Sequence, residues 1–402
     1  MIREDNLKIA LGKEKADTVL KNCKIVNIFN HNILDGDIAI CGEKIAGIGQ
    51  YSGKEEYDLK GKYVCPGFID SHIHIESSML SPYEFSKLVA PHGTSTVIAD
   101  PHEIVNVLGE KGLDYFLDNI YPELLDIFFM LPSSIPATTM ETSGAIFKAE
   151  NMEKYFDNKN IIGLGEMMNF PGVINGEKDI LDKLNLFSSM IIDGHAPGLT
   201  QKELMTYIFA GIRSDHECSS LKEAEEKLNA GMHIMIRQGS ASQNLIDLLP
   251  LITPYNEEFC MFCTDDKNPS DLKNLGHMDY ILRLAVENGL DPLIAIKMIS
   301  YNAAKYFRLY DRGAIAPGYL ADLNVFDNLK DFKIEKVFKR GKLITEKGKL
   351  IGNQNLEEKE NSLDNSINCN IESLENFAIS IGERKNKKIK VISLLKNNLI
   401  TE

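Results

Sequence analysis

The stretch that decides the fold is YVCPGFIDSHIHIESS, residues 63–78. It begins as an apolar run and ends in two histidines, His72 and His74, two positions apart. On a β-strand, side chains at i and i+2 point to the same face, so both imidazoles face one point. Taken alone, the pair fits either a metal site or two hydrogen-bonded histidines at a strand end. The rest of the chain decides between these interpretations.

Seven further apolar runs resemble this one, and helix-like segments separate them. They are TSTVIADP (94–101), DIFFMLPSS (126–134), IIGLGEMM (161–168), MIIDGHAP (190–197), GIRSDHEC (211–218), HIMIRQGS (233–240) and EFCMFCTDD (258–266). Continuous apolar character without alternation is typical of strands that are buried on both faces of a parallel sheet. Eight βα units over about 250 residues predict an α/β protein built on a (β/α)8 TIM-like barrel.

Polar or ionisable residues follow most of these runs at their C-terminal side. They are His72 and His74, Asp100 and His102, Glu166, His195, His216, Arg237 and Asp265. In barrels of this type the active site is built at that end of the strands. We therefore expect these side chains to meet in one cavity.

The segments on either side of the barrel share a different texture, with short β-rich runs broken by Gly, Asn and Asp. We predict that residues 1–62 and 313–352 combine into one small β-sandwich, and that residues 63–312 form the barrel. After the eighth apolar run, the segment LDPLIAIKMISYNAAKYF (290–307) predicts one or two helices.

Composition excludes several classes of protein. The 402 residues carry a net charge of −14, which leaves no electrostatic footprint for nucleic acid or for an anionic membrane surface. The first residues have no apolar signal-peptide core, and no run is long enough to span a bilayer. The seven cysteines are scattered, which favours a reduced, cytoplasmic location. Cys260 and Cys263 would point to opposite faces of a strand, so we expect buried thiols and no shared metal.

Six of the strand-end residues are of the types that bind divalent metals. They come from five strands and are His72, His74, Glu166, His195, His216 and Asp265. Six ligands suit two metals that share a bridging carboxylate, and a metal-bound water becomes a hydroxide near neutral pH. Asp265 is placed to move the proton from that water to a leaving group. The implied chemistry is hydrolysis at an electron-poor carbon, or at phosphorus in a phosphotriester, and cyclic amides, esters, phosphotriesters and aminopurines or aminopyrimidines all qualify.

Several longer motifs resemble the microbial adenine deaminases of the amidohydrolase superfamily. They are PGFIDSHIHIESSM, HGTSTVIADPHEIVNVLG, GLGEMMNFPGV, DGHAPGL, SDHE, FCTDD and GAIAPGYLADLNVFD. The resemblance implies conversion of adenine and water to hypoxanthine and ammonia, as in purine salvage, by a homodimer with two divalent metals. Manganese is the first expectation, with iron or zinc as alternatives.

The resemblance also implies roles for individual residues. His72, His74 and Asp265 would bind the first metal, His195 and His216 the second, and Glu166 would bridge them. Asp265 and Glu166 would take part in catalysis, with Asp265 as the proton shuttle. Candidates for contact with adenine, or for supporting the ligands and loops, are Glu76, Ser78, His102, Glu103, Arg237 and Ser240.

The resemblance leaves two alternatives open. Adenine deaminases are longer and carry a further C-terminal domain, so residues 353–402 are interpreted as the truncated start of that domain. One alternative is therefore an inactive fragment that needs the missing domain. The other is a cyclic amide hydrolase of the dihydroorotase or hydantoinase kind, although those enzymes commonly use a lysine where this chain has Glu166.

Overall fold

The fold is described from a computed structural model, which covers residues 4–138 and 140–351 and the single positions 363, 378, 388 and 391–393. The strands are β1 (Ala16–Asn27), β2 (Asn32–Cys41), β3 (Lys44–Gly49), β4 (Gly53–Asp58), β5 (Tyr63–Pro66), β6 (Phe68–His74), β7 (Thr94–Ala99), β8 (Asp126–Leu131), β9 (Ile161–Met167), β10 (Ile191–Gly194), β11 (Ser214–Asp215), β12 (His233–Arg237), β13 (Cys260–Cys263), β14 (Asp265–Asp266), β15 (Leu323–Phe326), β16 (Ile334–Lys339), β17 (Lys342–Glu346) and β18 (Lys349–Leu350).

The helices alternate with the strands from β6 to β14 and then follow one another. They are α1 (Glu4–Ala10), α2 (Pro82–Val89), α3 (His102–Leu108), α4 (Glu110–Asp118), α5 (Ala149–Met152), α6 (Phe170–Asn175), α7 (Lys178–Leu186), α8 (Gln201–Phe209), α9 (Leu221–Asn229), α10 (Leu245–Leu248), α11 (Pro269–Asn274), α12 (Met278–Glu287), α13 (Pro292–Lys297) and α14 (Ala303–Tyr306). A π-helical turn, Met298–Asn302, joins α13 to α14. The helical prediction for residues 290–307 is thus confirmed.

Two parallel sheets carry the eight apolar runs. One has the order β10-β9-β8-β7-β6-β14 and the other β11-β12-β13. Every residue of β7 and of β13 is buried, because helices cover one side of these sheets and an apolar cluster covers the other. The prediction of an α/β fold with repeated βα units is confirmed.

A nine-stranded mixed sheet joins the two flanking segments. Its order is β18-β17-β16-β15-β5-β1-β2-β3, and β4 pairs with β1. The junction is made by β5, which is parallel to β1 and antiparallel to β15. The N-terminal strands and the strands after the helices therefore form one sheet, as expected. The sandwich geometry and the predicted domain boundaries stay predictions.

The run at residues 63–74 needs one correction, because it forms two strands in two different sheets. β5 belongs to the mixed sheet, and the first parallel strand begins only at Phe68. Pro66 has no N–H to continue a ladder. At Gly67 the chain passes closely between the sheets, since a Cβ there would lie 2.4 Å from Ser95 Oγ. Sequence periodicity did not reveal this break.

Apolar residues from six parallel strands meet in one cluster beneath the strand ends. They are Ile69, Ile98, Met130, Ile191, Met235 and Met261, and they pack with Ala303, Ala304 and Phe307. This layer supports the polar residues above it. Cys263 joins the same cluster, whereas Cys260 lies in a different one, as strand alternation predicts. Burial raises the pKa of Cys260 to about 12, so this thiol stays protonated.

None of the helices in the described part of the chain has the length and apolar character needed to span a bilayer. Apart from the six single positions, the predicted start of a C-terminal domain at 353–402 lies outside the described residues.

Candidate metal centre

The six predicted metal ligands come together at the carboxyl ends of the parallel strands. His72, His74, Glu166 and Asp265 lie within β6, β9 and β14, and His195 and His216 directly follow β10 and β11. Parallel strands bring their carboxyl ends to one edge, and here that edge is closed to solvent. Five of the six side chains are at most 6 % exposed, and His195 is 22 % exposed.

The two histidines of β6 face the same point. Their Nε2 atoms are 3.1 Å apart. Two nitrogens bound to one tetrahedral ion at about 2.0–2.1 Å lie about 3.3 Å apart, so this spacing fits a shared metal. His74 Nδ1 lies 2.9 Å from the carbonyl of Asp100, which fixes the ring and leaves Nε2 directed into the site. The pairing of β6 with β7 shifts register between Asp70 and Ile73, an irregularity that re-aims side chains next to active sites.

Glu166 lies between the two groups of histidines. Its Oε1 is 3.4 Å from His74 Nε2, and its Oε2 is 2.6 Å from His195 Nδ1 and 3.1 Å from His216 Nε2. The two carboxylate oxygens thus face the two groups of histidines, as those of a bridging ligand must. Its backbone is held in place because Glu166 N–H donates to Asp100 Oδ2 at 2.9 Å.

Asp265 divides its two oxygens between different partners. Oδ1 is 3.1 Å from His74 Nε2 and 3.6 Å from His72 Nε2, whereas Oδ2 accepts a hydrogen bond from Arg237 at 2.6 Å. Its φ of +58° is in the left-handed region, which Asp and Asn tolerate better than most residues. A residue held in this region at a strand end is typical of functional sites.

The electrostatics of the cluster favour a bound cation. Burial and the neighbouring His216 lower the pKa of His72 to about 4, so this imidazole is neutral. Burial opposes charge on Asp265 and Glu166, yet the surrounding histidines hold the pKa of each carboxyl well below its usual value. Burial likewise opposes charge on His74, but Glu103, Asp265 and Glu166 raise its pKa. The buried carboxylates of Asp265 and Glu166 therefore need positive charge close to them, which a bound cation would supply.

The donor atoms themselves fit metal binding. Three sets each place their ligand atoms within 4.8 Å of one another: His72, His74 and Glu166; His72, His216 and Asp265; and Glu166, His195 and His216. Buried polar atoms normally form hydrogen bonds, yet Nε2 of His216 forms none with the described residues. The residues present therefore fit a metal site.

A sequence profile of the amidohydrolase family matches residues 63–344, well over half of the chain. The chain belongs to the amidohydrolase family. Among curated relatives it is 47% identical to the adenine deaminase of Kosmotoga olearia over 99% of this chain and 69% of that protein. It is 49% identical to adenine deaminase 2 of Carboxydothermus hydrogenoformans over 86% of this chain and 61% of that protein. The predicted resemblance is confirmed, and the chain spans 61–69% of the length of these two relatives.

Two solved structures share the fold at low sequence identity. A β-aspartyl dipeptidase from Fervidobacterium islandicum has a TM-score of 0.61 at 19% identity, and the match covers 84% of this chain and 98% of that one. A D-hydantoinase from Thermus sp. also has a TM-score of 0.61 at 19% identity, with coverage of 84% and 97%. These likenesses support the amidohydrolase fold alone.

Three of the predicted substrate contacts lie on one side of the centre in this amidohydrolase. His102 Nδ1 is 3.2 Å from Glu166 Oε1, and Glu103 Oε2 is 3.6 Å from His74 Nδ1. Glu76 accepts a hydrogen bond from Ile104 N–H through Oε1, while its buried Oε2 has no partner among the described residues. Burial and the nearby Glu103 raise the pKa of Glu76 to about 8. Glu76, His102 and Glu103 together line one side of the centre, and we call them the acidic wall.

The side chains of the other three predicted contacts already form hydrogen bonds or ion pairs with protein groups. Ser78 Oγ donates to Ile75 C=O at 2.6 Å, and Ser240 Oγ donates to Asp271 Oδ2 at 2.6 Å. Arg237 is paired with carboxylates. A direct role in substrate binding stays a prediction for all three.

Sequence reasoning missed Glu217. Its carboxylate reaches the site, with Oε1 3.3 Å from His216 Nε2 and 3.6 Å from His195 Nδ1. Neighbouring side chains on a strand point to opposite faces. With His216 facing the site, strand alternation would therefore point Glu217 away from it. However, β11 ends at Asp215, and the two residues after it are free of that constraint. The SDHE motif contained the signal, because a second carboxylate directly follows the ligand.

Proposed function

We propose that this amidohydrolase deaminates adenine by hydrolysis, giving hypoxanthine and ammonia. The observation that carries this proposal is the 47% identity to an adenine deaminase over 99% of the chain. All six metal-binding side chains that the sequence predicts are present and close together, which supports an intact site.

Two divalent metals are proposed, with Mn²⁺ as the first expectation and Fe²⁺ or Zn²⁺ as alternatives. His72, His74 and Asp265 would hold one ion, His195 and His216 the other, and Glu166 would contact both. The two sides of Glu166, 3.4 Å and 2.6 Å from histidine nitrogens, support the bridging assignment. Metals bound here would make a water acidic enough to attack near neutral pH.

The protein's own groups then move protons and hold the substrate. Asp265 faces the centre through Oδ1 and is held by Arg237 through Oδ2, and its carboxylate would take one proton from the attacking water. The water oxygen would bond to C6 of adenine as the C6=N1 electron pair moves to N1. The proton would then pass from Asp265 to the exocyclic amino nitrogen, the bond from C6 to that nitrogen would break to release ammonia, and the second proton of the water would move to N1 to give hypoxanthine. Glu76, His102 and Glu103 are proposed to face the purine from the acidic wall.

A closed eight-stranded barrel is proposed for the two parallel sheets. The backbone N–H of Arg213 donates to Ile192 C=O across the gap between β11 and β10. At the other end, β14 follows β13 after one residue and pairs with β6. The apolar cluster to which six parallel strands contribute side chains also supports a closed barrel. A homodimer and a cytoplasmic location stay predictions.

The proposal is tested by expressing the 402-residue chain with manganese, counting metals per chain and following ammonia release from adenine. We expect about two metals and turnover. Turnover of hydantoins or dihydropyrimidines in place of adenine would favour the cyclic amide alternative. Bound metal without any turnover would favour the alternative of an inactive fragment, which needs the part of its longer relatives that this chain does not cover.

Asp265→Asn tests the proton transfer. Asparagine accepts the left-handed backbone of this position and can still donate and accept hydrogen bonds, so the fold should persist. We expect ammonia release to fall about 100-fold or more, because the proton carrier is gone. An unchanged circular dichroism spectrum and melting temperature serve as the control. Full activity in this variant would contradict the assignment.

A further inference from the structure

Arg237 connects the two halves of the candidate centre. Its Nη1 donates to Asp265 Oδ2 at 2.6 Å and also to Glu217 Oε1, and its Nη2 donates to Glu217 Oε2 at 3.1 Å. Glu217 lies two residues after β11, Arg237 ends β12 and Asp265 begins β14, and all three side chains are 3–6 % exposed. Two parallel contacts to one carboxylate form the fork geometry that makes arginine pairs both strong and directional.

Glu217 continues this connection to the opposite side of the site. Besides holding the guanidinium, its Oε1 is 3.3 Å from His216 Nε2 and 3.6 Å from His195 Nδ1. Asp265, at the other end of the guanidinium, faces His72 and His74. One arginine and one glutamate therefore touch members of both proposed metal-binding groups.

Asn244 fixes the backbone that carries this pair. Its Oδ1 accepts from Arg237 N–H at 2.7 Å, and its Nδ2 donates to the carbonyls of His216 and Cys218 at 3.2 and 3.0 Å. Three hydrogen bonds of one side chain thus tie β12 to the loop after β11. Ser242 Oγ accepts a further bond from Nη2.

These contacts leave Arg237 little capacity for a substrate. Both Nη atoms are engaged by protein oxygens, so only the buried Nε–H, which has no hydrogen bond to the described residues, is left to donate. Holding Oδ2 of Asp265 also fixes which oxygen faces the centre. If the guanidinium were removed, the carboxylate could rotate, and Glu217 would become a buried charge without its partner.

We propose that Glu217, Arg237 and Asn244 are positioning residues that orient Asp265 and the loop of His216, and that Arg237 does not bind adenine. This inference rests on the proposed function and refines it. The arginine acts through Asp265, so its loss should affect the chemical step and metal binding more than substrate affinity.

The test compares Arg237→Gln, Arg237→Lys and Glu217→Gln in the full chain loaded with Mn²⁺. For Arg237→Gln we expect kcat to fall about 10-fold to 100-fold, with KM for adenine within about threefold of the parent. Lysine restores one charge without the fork, so Arg237→Lys should recover part of the loss. The double variant Arg237→Gln/Glu217→Gln should lose less than the product of the two single effects, because the pair acts together.

Arg312→Gln is the matched control. Arg312 is a buried arginine that pairs with Asp126 at 2.8 Å, and its polar partners among the described residues include none of the six predicted ligands. It should lower the melting temperature without changing kcat beyond about twofold. A rise in KM with unchanged kcat for Arg237→Gln would overturn the inference, as would equal losses of kcat in the Arg237 and Arg312 variants.

Mn²⁺ titration keeps this test separate from the proposed function. If the parent chain does not deaminate adenine, the proposed function fails, but the positioning role still predicts a result. Arg237→Gln should then bind Mn²⁺ about 10-fold more weakly than the parent, while Arg312→Gln binds it with the parent's affinity. Parent-like Mn²⁺ affinity in Arg237→Gln would overturn the inference in that case.

Discussion

Gly165 shows how closely the supporting shell of the centre is packed. A Cβ at this position would lie 2.1 Å from Asp100 Oδ2, the same atom that accepts the N–H of Glu166. Only a residue without a side chain lets this carboxylate reach the backbone of the proposed bridging ligand. The glycine is therefore part of the geometry of the site, although it offers no ligand itself.

Gly165→Ala should consequently damage the site from outside it. We expect a loss of about 1–3 kcal/mol in the free energy of unfolding from overpacking, and weaker Mn²⁺ binding because Glu166 shifts. Thermal unfolding and Mn²⁺ titration measure the two effects. Gly36→Ala is the control, since its Cβ would meet atoms no closer than 3.8 Å. Equal behaviour of the two variants would contradict this account.

At this scale the sequence predicted well which strand-end side chains lie close together, and for a physical reason. Parallel strands bring their carboxyl ends together, so residues as distant in sequence as His72 and Asp265 were expected to meet. It predicted their supporting contacts poorly. It did not predict the contacts of Arg237 with Glu217 and Asn244, because these two residues follow two different short segments whose loop paths no periodicity describes.

Among the elements, α9 holds two of the loops that carry proposed ligands. Lys227 of this helix is fully buried and donates to Ala196 C=O, to Asp215 Oδ2 and to Glu223 Oε1 at 2.7, 3.0 and 2.7 Å. Ala196 follows His195, and Asp215 precedes His216. One ammonium group thus fixes the start of both loops.

Lys227→Met should leave two buried carboxylates without their cation. We expect a loss of about 3–5 kcal/mol in the free energy of unfolding, measured by urea denaturation, together with reduced metal binding. Lys222→Met, on the exposed side of the same helix, provides the comparison and should change stability by less than about 1 kcal/mol. If Lys227→Met were as stable as that control, the network would have no structural role.

The elements also show where sequence patterns stop being informative. All eight apolar runs contain a parallel strand, because burial on both faces leaves a clear signal. The boundary at Pro66 and the two-residue length of β11 left none, since both depend on which sheet offers a partner. Pairing partners are tertiary information that local composition does not contain.

At the scale of the whole molecule, Asp126 joins the parallel sheet to the mixed sheet. It lies at the start of β8 and accepts from Lys339 at 2.7 Å, from Arg312 at 2.8 Å and from Arg340 at 2.7 Å. Burial alone would raise the pKa of Asp126, but these three cations hold it well below its usual value. The carboxylate of Asp126 is therefore ionised in the folded protein at neutral pH.

This depressed pKa predicts a pH-dependent contribution to stability. A carboxyl whose pKa is lower in the folded state stabilises the fold fully above its unfolded pKa, about 3.9, and less as the pH falls below that value. Asp126→Asn should therefore cost about 3–5 kcal/mol at pH 7, and the difference from the parent should shrink below about pH 4. Denaturation curves across this range test it, with Asp182→Asn in an exposed ion pair as the control. A cost that stays constant with pH would refute the assignment.

The gap between β10 and β11 has a consequence for the molecule as a whole. His195 follows one of these strands and His216 the other, and the strands belong to different sheets. An ion held by both imidazoles would add a cross-link where the hydrogen bond from Arg213 N–H to Ile192 C=O joins the two sheets, and its binding free energy would add to the stability of the folded chain. The supply of the metal would then affect the lifetime of the folded protein as well as its rate of turnover.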